Sequence, residues 1–67
     1  MKFYRVREAI KVKYGTFKKF AEKTEMSYTT LVHKLAGESE FTRAEMAMFC
    51  ELLEIPIEKV WEYFFYA

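Results

Sequence analysis

The stretch SYTTLVHKLAG, residues 27–37, has the pattern of one short helix with a marked beginning and end. Ser27 can cap it, because a serine hydroxyl accepts hydrogen bonds from amides two or three residues ahead. Leu31 and Leu35 lie about one turn apart and define an inward face. Gly37 suits the position after the helix, where a left-handed conformation costs glycine little. The stretch therefore predicts a helix that ends at about residue 36.

A second short helix is predicted just before this one. Thr16 can cap it, and Phe17, Phe20 and Ala21 give its apolar face over about residues 17–23. Two short helices joined by a three-residue turn pack closely, so the residue of the first that faces the second must be small. Ala21 meets that requirement. The sequence therefore predicts a helix-turn-helix at about residues 17–36.

Three further helices are predicted around this pair. Thr42 and Glu45 form a capping box, and Pro56 fits the first turn of a helix because its missing amide would be unpaired there. No segment alternates at period two, so the fold is predicted to be all-α, with five helices in a single domain spanning residues 1–67. The additional helices are expected at about residues 3–14, 43–53 and 57–65.

Charge is unevenly distributed along the chain. The net charge is only +1, yet residues 1–23 carry eight Lys or Arg against two Glu, whereas residues 24–67 carry three against eight. The basic half could face a phosphate backbone, or its lysines could simply solvate the first helix. Charge by itself leaves both interpretations open.

Composition argues against several classes of protein. A chain of 67 residues has little room for an active-site cleft, and it contains no Asp, no glycine-rich phosphate loop and no nucleophile with a recognisable base beside it. One Cys and one His give no zinc set, and Cys50 is expected to be a buried small hydrophobe. No run of eighteen apolar residues is present. The chain is therefore expected to be a cytoplasmic protein that has no enzymatic activity, cofactor, metal or membrane contact.

The helix pattern resembles a known family. The resemblance runs from REAIKVKYGTFKKFAEKTEMSYTTLVHKLAG through SEFTRAEMAMFCELLEIP to the final YFF. The matching family is the Cro/repressor helix-turn-helix domains of lambdoid and related temperate phages, the lambda-repressor-like (XRE) family. Membership would imply a compact five-helix DNA-binding domain. It would also imply a Cro-like regulator that binds double-stranded operator DNA as a weak homodimer.

The resemblance also assigns DNA contacts. The second helix of the pair would meet base edges or phosphates in the major groove, while its flank and the preceding helix would meet phosphates. The chain contains no Asn or Gln, so the bidentate readers of adenine are missing. The base-facing residues implied are Ser27, Tyr28, Thr29 and His33, with Thr30 on the flank, and the phosphate-facing residues are Thr16, Lys18, Lys19 and Lys34.

Three positions depart from the family pattern. Glu25 stands where the family often has a glycine in a turn that prefers positive φ, so either the turn is reshaped or the residue costs about 1 kcal/mol. Phe17 and Ala36 stand where the family often has polar residues that touch phosphate. Two phosphate anchors are therefore missing from the expected pattern.

The C-terminal stretch VWEYFFYA, residues 60–67, carries five aromatic side chains that one helix cannot all turn inward. Trp61 by itself is predicted to lie in the core. The others could form a core edge, a homodimer seam or a docking face for another protein. The candidate protein interface comprises Trp61, Tyr63, Phe64, Phe65 and Tyr66.

An alternative function keeps the fold and changes the partner. The chain could be an anti-repressor or modulator that binds a phage repressor protein and blocks its DNA binding. The missing amide side chains and the two missing phosphate anchors favour this alternative. The acidic and aromatic C-terminal half would also suit a basic protein surface.

Overall fold

The computed structural model describes residues 2–65, and within that range the chain forms five α-helices and no strand. A short 3-10 turn, Ile57–Lys59, precedes the last helix. The described chain measures 26 × 23 × 22 Å along its principal axes. The prediction of an all-α chain is confirmed for these residues. The helices are α1 (Tyr4–Tyr14), α2 (Phe17–Lys23), α3 (Tyr28–Leu35), α4 (Arg43–Leu53) and α5 (Val60–Phe64).

The caps predicted at three helix starts are present. The Thr16 hydroxyl accepts from the Lys19 amide at 3.1 Å, and the Ser27 hydroxyl accepts from the Thr30 amide at 3.1 Å. Thr42 begins α4 with a complete capping box, in which its side chain and that of the third helical residue each accept from the other's amide. Residues close in sequence thus define where α2, α3 and α4 begin.

Two glycines with positive φ end helices. Gly15 follows α1 with φ +87° and Gly37 follows α3 with φ +84°. The positive φ at Gly37 favours glycine there. In addition, a Cβ at this position would lie 2.5 Å from the Lys2 Cδ, so a side chain would fit only if Lys2 shifted.

Aromatic rings from several elements meet in the core. Phe49 of α4 is fully buried, and its ring centroid lies 4.9 Å from that of Phe20 in α2. It also lies 5.2 Å from Phe41 in the loop before α4 and 6.1 Å from Phe64 in α5. Edge-on contacts of this kind add to the free energy gained by burying the rings. Phe49 therefore joins α2, α4, α5 and a loop into one hydrophobic core.

The C-terminal helix differs from the prediction in extent and orientation. The predicted helix over residues 57–65 is divided into the 3-10 turn and the short α5, and the Lys59 amide donates to the Pro56 carbonyl at 2.9 Å. Val60 and Phe64, four residues apart, face the core. Trp61, the next residue around the helix, therefore points outward and is 60 % exposed. The prediction that Trp61 lies in the core is wrong.

No helix formed by residues 2–65 combines the length and apolar character needed to cross a membrane.

Candidate nucleic-acid interface

The turn between α2 and α3 is held by one threonine. The Thr24 hydroxyl donates to the Ala21 carbonyl at 2.8 Å and accepts from the Met26 amide at 3.0 Å. Thr24 itself is extended, with φ −101° and ψ 179°. Glu25 is not among the residues with positive φ, so the expected strain there is absent. The turn is reshaped, because a side chain supplies the hydrogen bonds that fix it.

The residues implied to read bases are exposed on α3 or at its start. Tyr28, Thr29 and His33 are all exposed, while the two leucines of this helix are fully buried. Ser27 and Thr30 are exposed as well, but the Ser27 hydroxyl also donates to the Thr30 hydroxyl at 3.0 Å. These two side chains therefore bond each other at the helix start, and we call the other three exposed side chains, Tyr28, Thr29 and His33, the exposed row.

His33 contacts an acidic side chain that follows α3. Its Nδ1 lies 2.5 Å from a carboxylate oxygen of Glu38, and both side chains are more than half exposed. A contact of this kind orients the imidazole at the end of the exposed row. It also places a negative charge beside a surface expected to approach phosphates. Glu38 was not among the predicted site residues, because its proximity depends on the path of the loop after α3.

Lys34 does not lie on the exposed side of α3. Its side chain is only 10 % exposed, and its ammonium donates to the Glu40 carbonyl at 2.8 Å and pairs with Glu45 at 2.9 Å. The lysine thus ties the end of α3 to the loop and to the first turn of α4. The structure contradicts the prediction that Lys34 offers its ammonium to a phosphate, because both its position and its partners keep it inside the protein.

The contact between Lys34 and Glu45 predicts that folding stability depends on pH. Burial opposes ionisation of Glu45, but hydrogen bonds from the Thr42 amide and the Lys34 ammonium outweigh burial and lower the pKa of this carboxyl below its ordinary value. A group with a lowered folded-state pKa adds stability above its unfolded-state pKa, and that stability is lost as pH falls through the folded-state value.

The Glu45→Gln variant should therefore differ from wild type most near neutral pH and progressively less as the solution becomes acidic. Urea unfolding followed by circular dichroism from pH 7 down to pH 3 checks this. A difference in unfolding free energy that does not shrink at low pH would show that the carboxylate charge is not what stabilises the contact.

A basic surface adjoins the exposed row of α3. Lys18 and Lys19, the candidates for phosphate contact on α2, are exposed. The Thr16 hydroxyl, which lies beside them, accepts from the Lys19 amide as the cap of α2. Lys11 of α1, which was not singled out from the sequence, also lies here. The shallow concavity at this position is lined by Lys11, Gly15, Thr16, Phe17, Lys18 and Tyr28.

Arg7 of α1 directs its hydrogen bonds to backbone carbonyls of the protein. Its guanidinium donates to the Leu35 carbonyl at 2.8 Å and to the Lys2 carbonyl at 2.9 Å. The first bond satisfies a carbonyl at the end of α3 that has no partner within that helix. Arg7 therefore fixes α3 against α1 and sets the orientation of the exposed row.

The C-terminal aromatic residues divide between core and surface. Phe64 is buried and Tyr63 is half-buried, so the structure contradicts the placement of Phe64 at an interface. Trp61 and Phe65 are exposed, and their ring centroids lie 4.4 Å apart. Tyr66, also named for this interface, lies outside the described residues. Among the described C-terminal residues, the exposed aromatic surface therefore consists of Trp61 and Phe65.

Comparison with known proteins places the chain in one family. No curated protein and no solved structure matches the chain. The family described as "Protein of unknown function (DUF739)" matches over residues 1–67. Because this match covers every residue, the chain belongs to the DUF739 family.

Proposed function

We propose that the chain is a small phage-type transcriptional regulator, similar to Cro, with a lambda-repressor-like fold. In this proposal α2 and α3 form a helix-turn-helix, and α3 enters the major groove of operator DNA. The observation that carries the proposal is the exposed row of Tyr28, Thr29 and His33 on α3 beside exposed lysines on α2. No catalytic step is part of this function.

The chemistry of the row suits modest sequence discrimination. The Tyr28 hydroxyl can donate to a guanine acceptor, or its ring can pack on a thymine methyl. Thr29 can bond base edges or phosphates, and His33 can donate to guanine N7 or O6. None of these side chains makes the paired contacts that Arg, Asn or Gln make with one base. We therefore expect phosphate contacts to supply most of the affinity.

The proposed binding unit is a weak homodimer on a pseudo-palindromic site. Two copies of α3 would enter successive major grooves on one side of the duplex, so the half-sites should lie about one helical turn, roughly 34 Å, apart. A dimer that forms mainly on the DNA would bind with an apparent affinity that depends on protein concentration.

The direct test is titration of a labelled fragment from the promoter region beside the protein's own gene, at roughly 50 and 200 mM salt. We expect the protein alone to bind and the affinity to fall steeply at the higher salt, because binding releases counterions from the phosphates. If the protein bound neither this fragment nor mixed-sequence duplex at the lower salt, that result would contradict the proposal.

The His33→Ala variant separates base contacts from phosphate contacts. It should change the ratio of affinities for the promoter fragment and for mixed-sequence duplex by roughly 5- to 10-fold, since base contacts are worth about 1–3 kcal/mol at best and this one is a single bond. The salt dependence should stay the same because no phosphate contact is removed. If the variant lost the same affinity for every sequence, His33 would be a backbone contact.

A second candidate function is modulation of a phage repressor through direct protein contact. The exposed Trp61 and Phe65 favour it, because they form an apolar surface beside Glu58 and Glu62 that would suit a basic protein. The same titration distinguishes the two candidates when a neighbouring repressor is added. Release of that repressor from its DNA, without DNA binding by the protein alone, would favour the modulator.

A further inference from the structure

An aromatic ring stands where α1 meets the proposed DNA-binding surface. Phe17, the first residue of α2, is half-buried and packs against the core. The Lys11 ammonium lies 5.6 Å from the centre of its ring, and the Arg7 guanidinium carbon lies 5.9 Å from it. Both distances are within the range at which a cation is attracted to an aromatic face. Phe17 therefore holds two cations of α1 close to α2.

The two cations differ in what else they contact. Arg7 donates to the Leu35 and Lys2 carbonyls, so its hydrogen-bonding capacity is directed into the protein. Lys11 is exposed and pairs with no carboxylate among residues 2–65. The ammonium of Lys11 is thus positioned by the ring while its charge is left uncompensated.

The neighbours of Lys11 point to an anionic ligand. Lys11 shares one concavity with Lys18 of α2 and Tyr28 of α3. Each of these three side chains can donate a hydrogen bond to an anion that enters the concavity. The ring of Phe17 has no group that donates a hydrogen bond to an anion. Its contribution is therefore to position Lys11.

We propose that Lys11 binds a backbone phosphate of duplex DNA and that Phe17 is the residue that positions it. The inference rests on the proposed function and adds α1 to its DNA contacts. It also accounts for the aromatic residue at a position where a polar phosphate contact was expected, because the anion-binding group comes from the neighbouring helix.

The test measures binding to a mixed-sequence duplex, since phosphate contacts do not depend on base sequence. Lys11→Gln should lower the magnitude of the slope of log affinity against log salt by about 0.9, the value for one phosphate contact. Lys13→Gln is the matched control on the same helix, because Lys13 pairs with Glu54 at 2.6 Å and lies outside the concavity. It should leave the slope unchanged.

The role of the ring is tested by combining substitutions. Phe17→Leu keeps an apolar side chain and the Lys11 charge but removes the aromatic face, and it should weaken binding roughly 2- to 5-fold, as expected for an exposed cation–π contact. In a Lys11→Gln background the same change should have almost no further effect. Equal weakening in both backgrounds would overturn the positioning role, provided thermal unfolding shows that each variant is folded.

The outcomes separate this inference from the function on which it rests. If wild-type protein binds duplex DNA and Lys11→Gln leaves the salt slope unchanged, the phosphate site is wrong while the proposed function stands. If wild-type protein binds no duplex even at low salt, the proposed function fails and the inference fails with it.

Discussion

Phe49→Ala is expected to lower the free energy of unfolding by about 3–5 kcal/mol, the range for removing a large buried aromatic side chain. The ring is fully buried and contacts three other aromatic rings from α2, α5 and the loop before α4. A chain of this length has a total stability on the order of 3–10 kcal/mol. The loss is therefore a large fraction of the total, and the melting temperature of the variant should fall by roughly 12–40 °C.

Urea and thermal unfolding followed by circular dichroism measure this effect. Phe65→Ala is the matched control, because it removes the same atoms from a side chain that is 52 % exposed. It should cost less than about 1 kcal/mol. Similar losses in the two variants would contradict the assignment of Phe49, and of the aromatic cluster around it, as the centre of the core.

Reversing both lysine charges on α2 should have the largest effect on DNA binding. The Lys18→Glu, Lys19→Glu double variant removes two proposed phosphate contacts and adds two repulsive charges. Loss of the two contacts alone should weaken binding to any duplex on the order of 50-fold at 0.1 M salt and lower the salt slope by about 1.8. Because phosphate contacts do not read sequence, the promoter fragment and mixed-sequence duplex should be affected about equally.

A second double variant tests whether DNA affinity depends on the lysines of α2 or only on the net charge of the protein. Lys13→Glu with Lys59→Glu changes the net charge by the same amount, but both residues lie outside the proposed surface. Its effect on binding should be much smaller than that of the α2 pair. If the two double variants weakened binding equally, affinity would depend on total charge, and α2 would not be the side of the protein that faces DNA.

Helix boundaries could be predicted because their causes are local. The Ser27 cap and the Thr42 capping box join residues three apart, and Gly37 adopts the positive φ that its position suggested. Such contacts depend on a few consecutive residues, so the sequence contains the information needed to place them.

Side-chain placements that depend on distant residues could not be predicted in the same way. Lys34 lies three residues after the inward Leu31. However, the Glu45 carboxylate and the Glu40 carbonyl that compensate its buried charge come from α4 and the loop before it, which the helix pattern does not reveal. Trp61 is exposed because Val60 and Phe64 take the inward face of α5. A helix with aromatic residues on several sides does not by itself show which side faces the core.

In the candidate site, too, some features could be predicted from nearby residues and others depend on how the helices pack. The exposed row on α3 followed from the pattern of inward leucines, whereas the approach of Lys11 to Phe17 depends on how α1 packs against α2. The reshaped turn at Thr24 likewise arises from a side-chain hydrogen bond that replaces the expected glycine conformation. Each of these features changes how the proposed interface works while leaving the helix pattern the same.

The central claim, that α3 binds duplex DNA, is tested most directly by NMR. Backbone amide chemical shifts would be recorded in a titration with a duplex from the promoter region at low salt. We predict that the largest changes occur at Tyr28, Thr29 and His33, with smaller changes at Lys18 and little change at Trp61. No shift changes on α3 when the duplex is present in excess, or changes confined to α5, would contradict the claim.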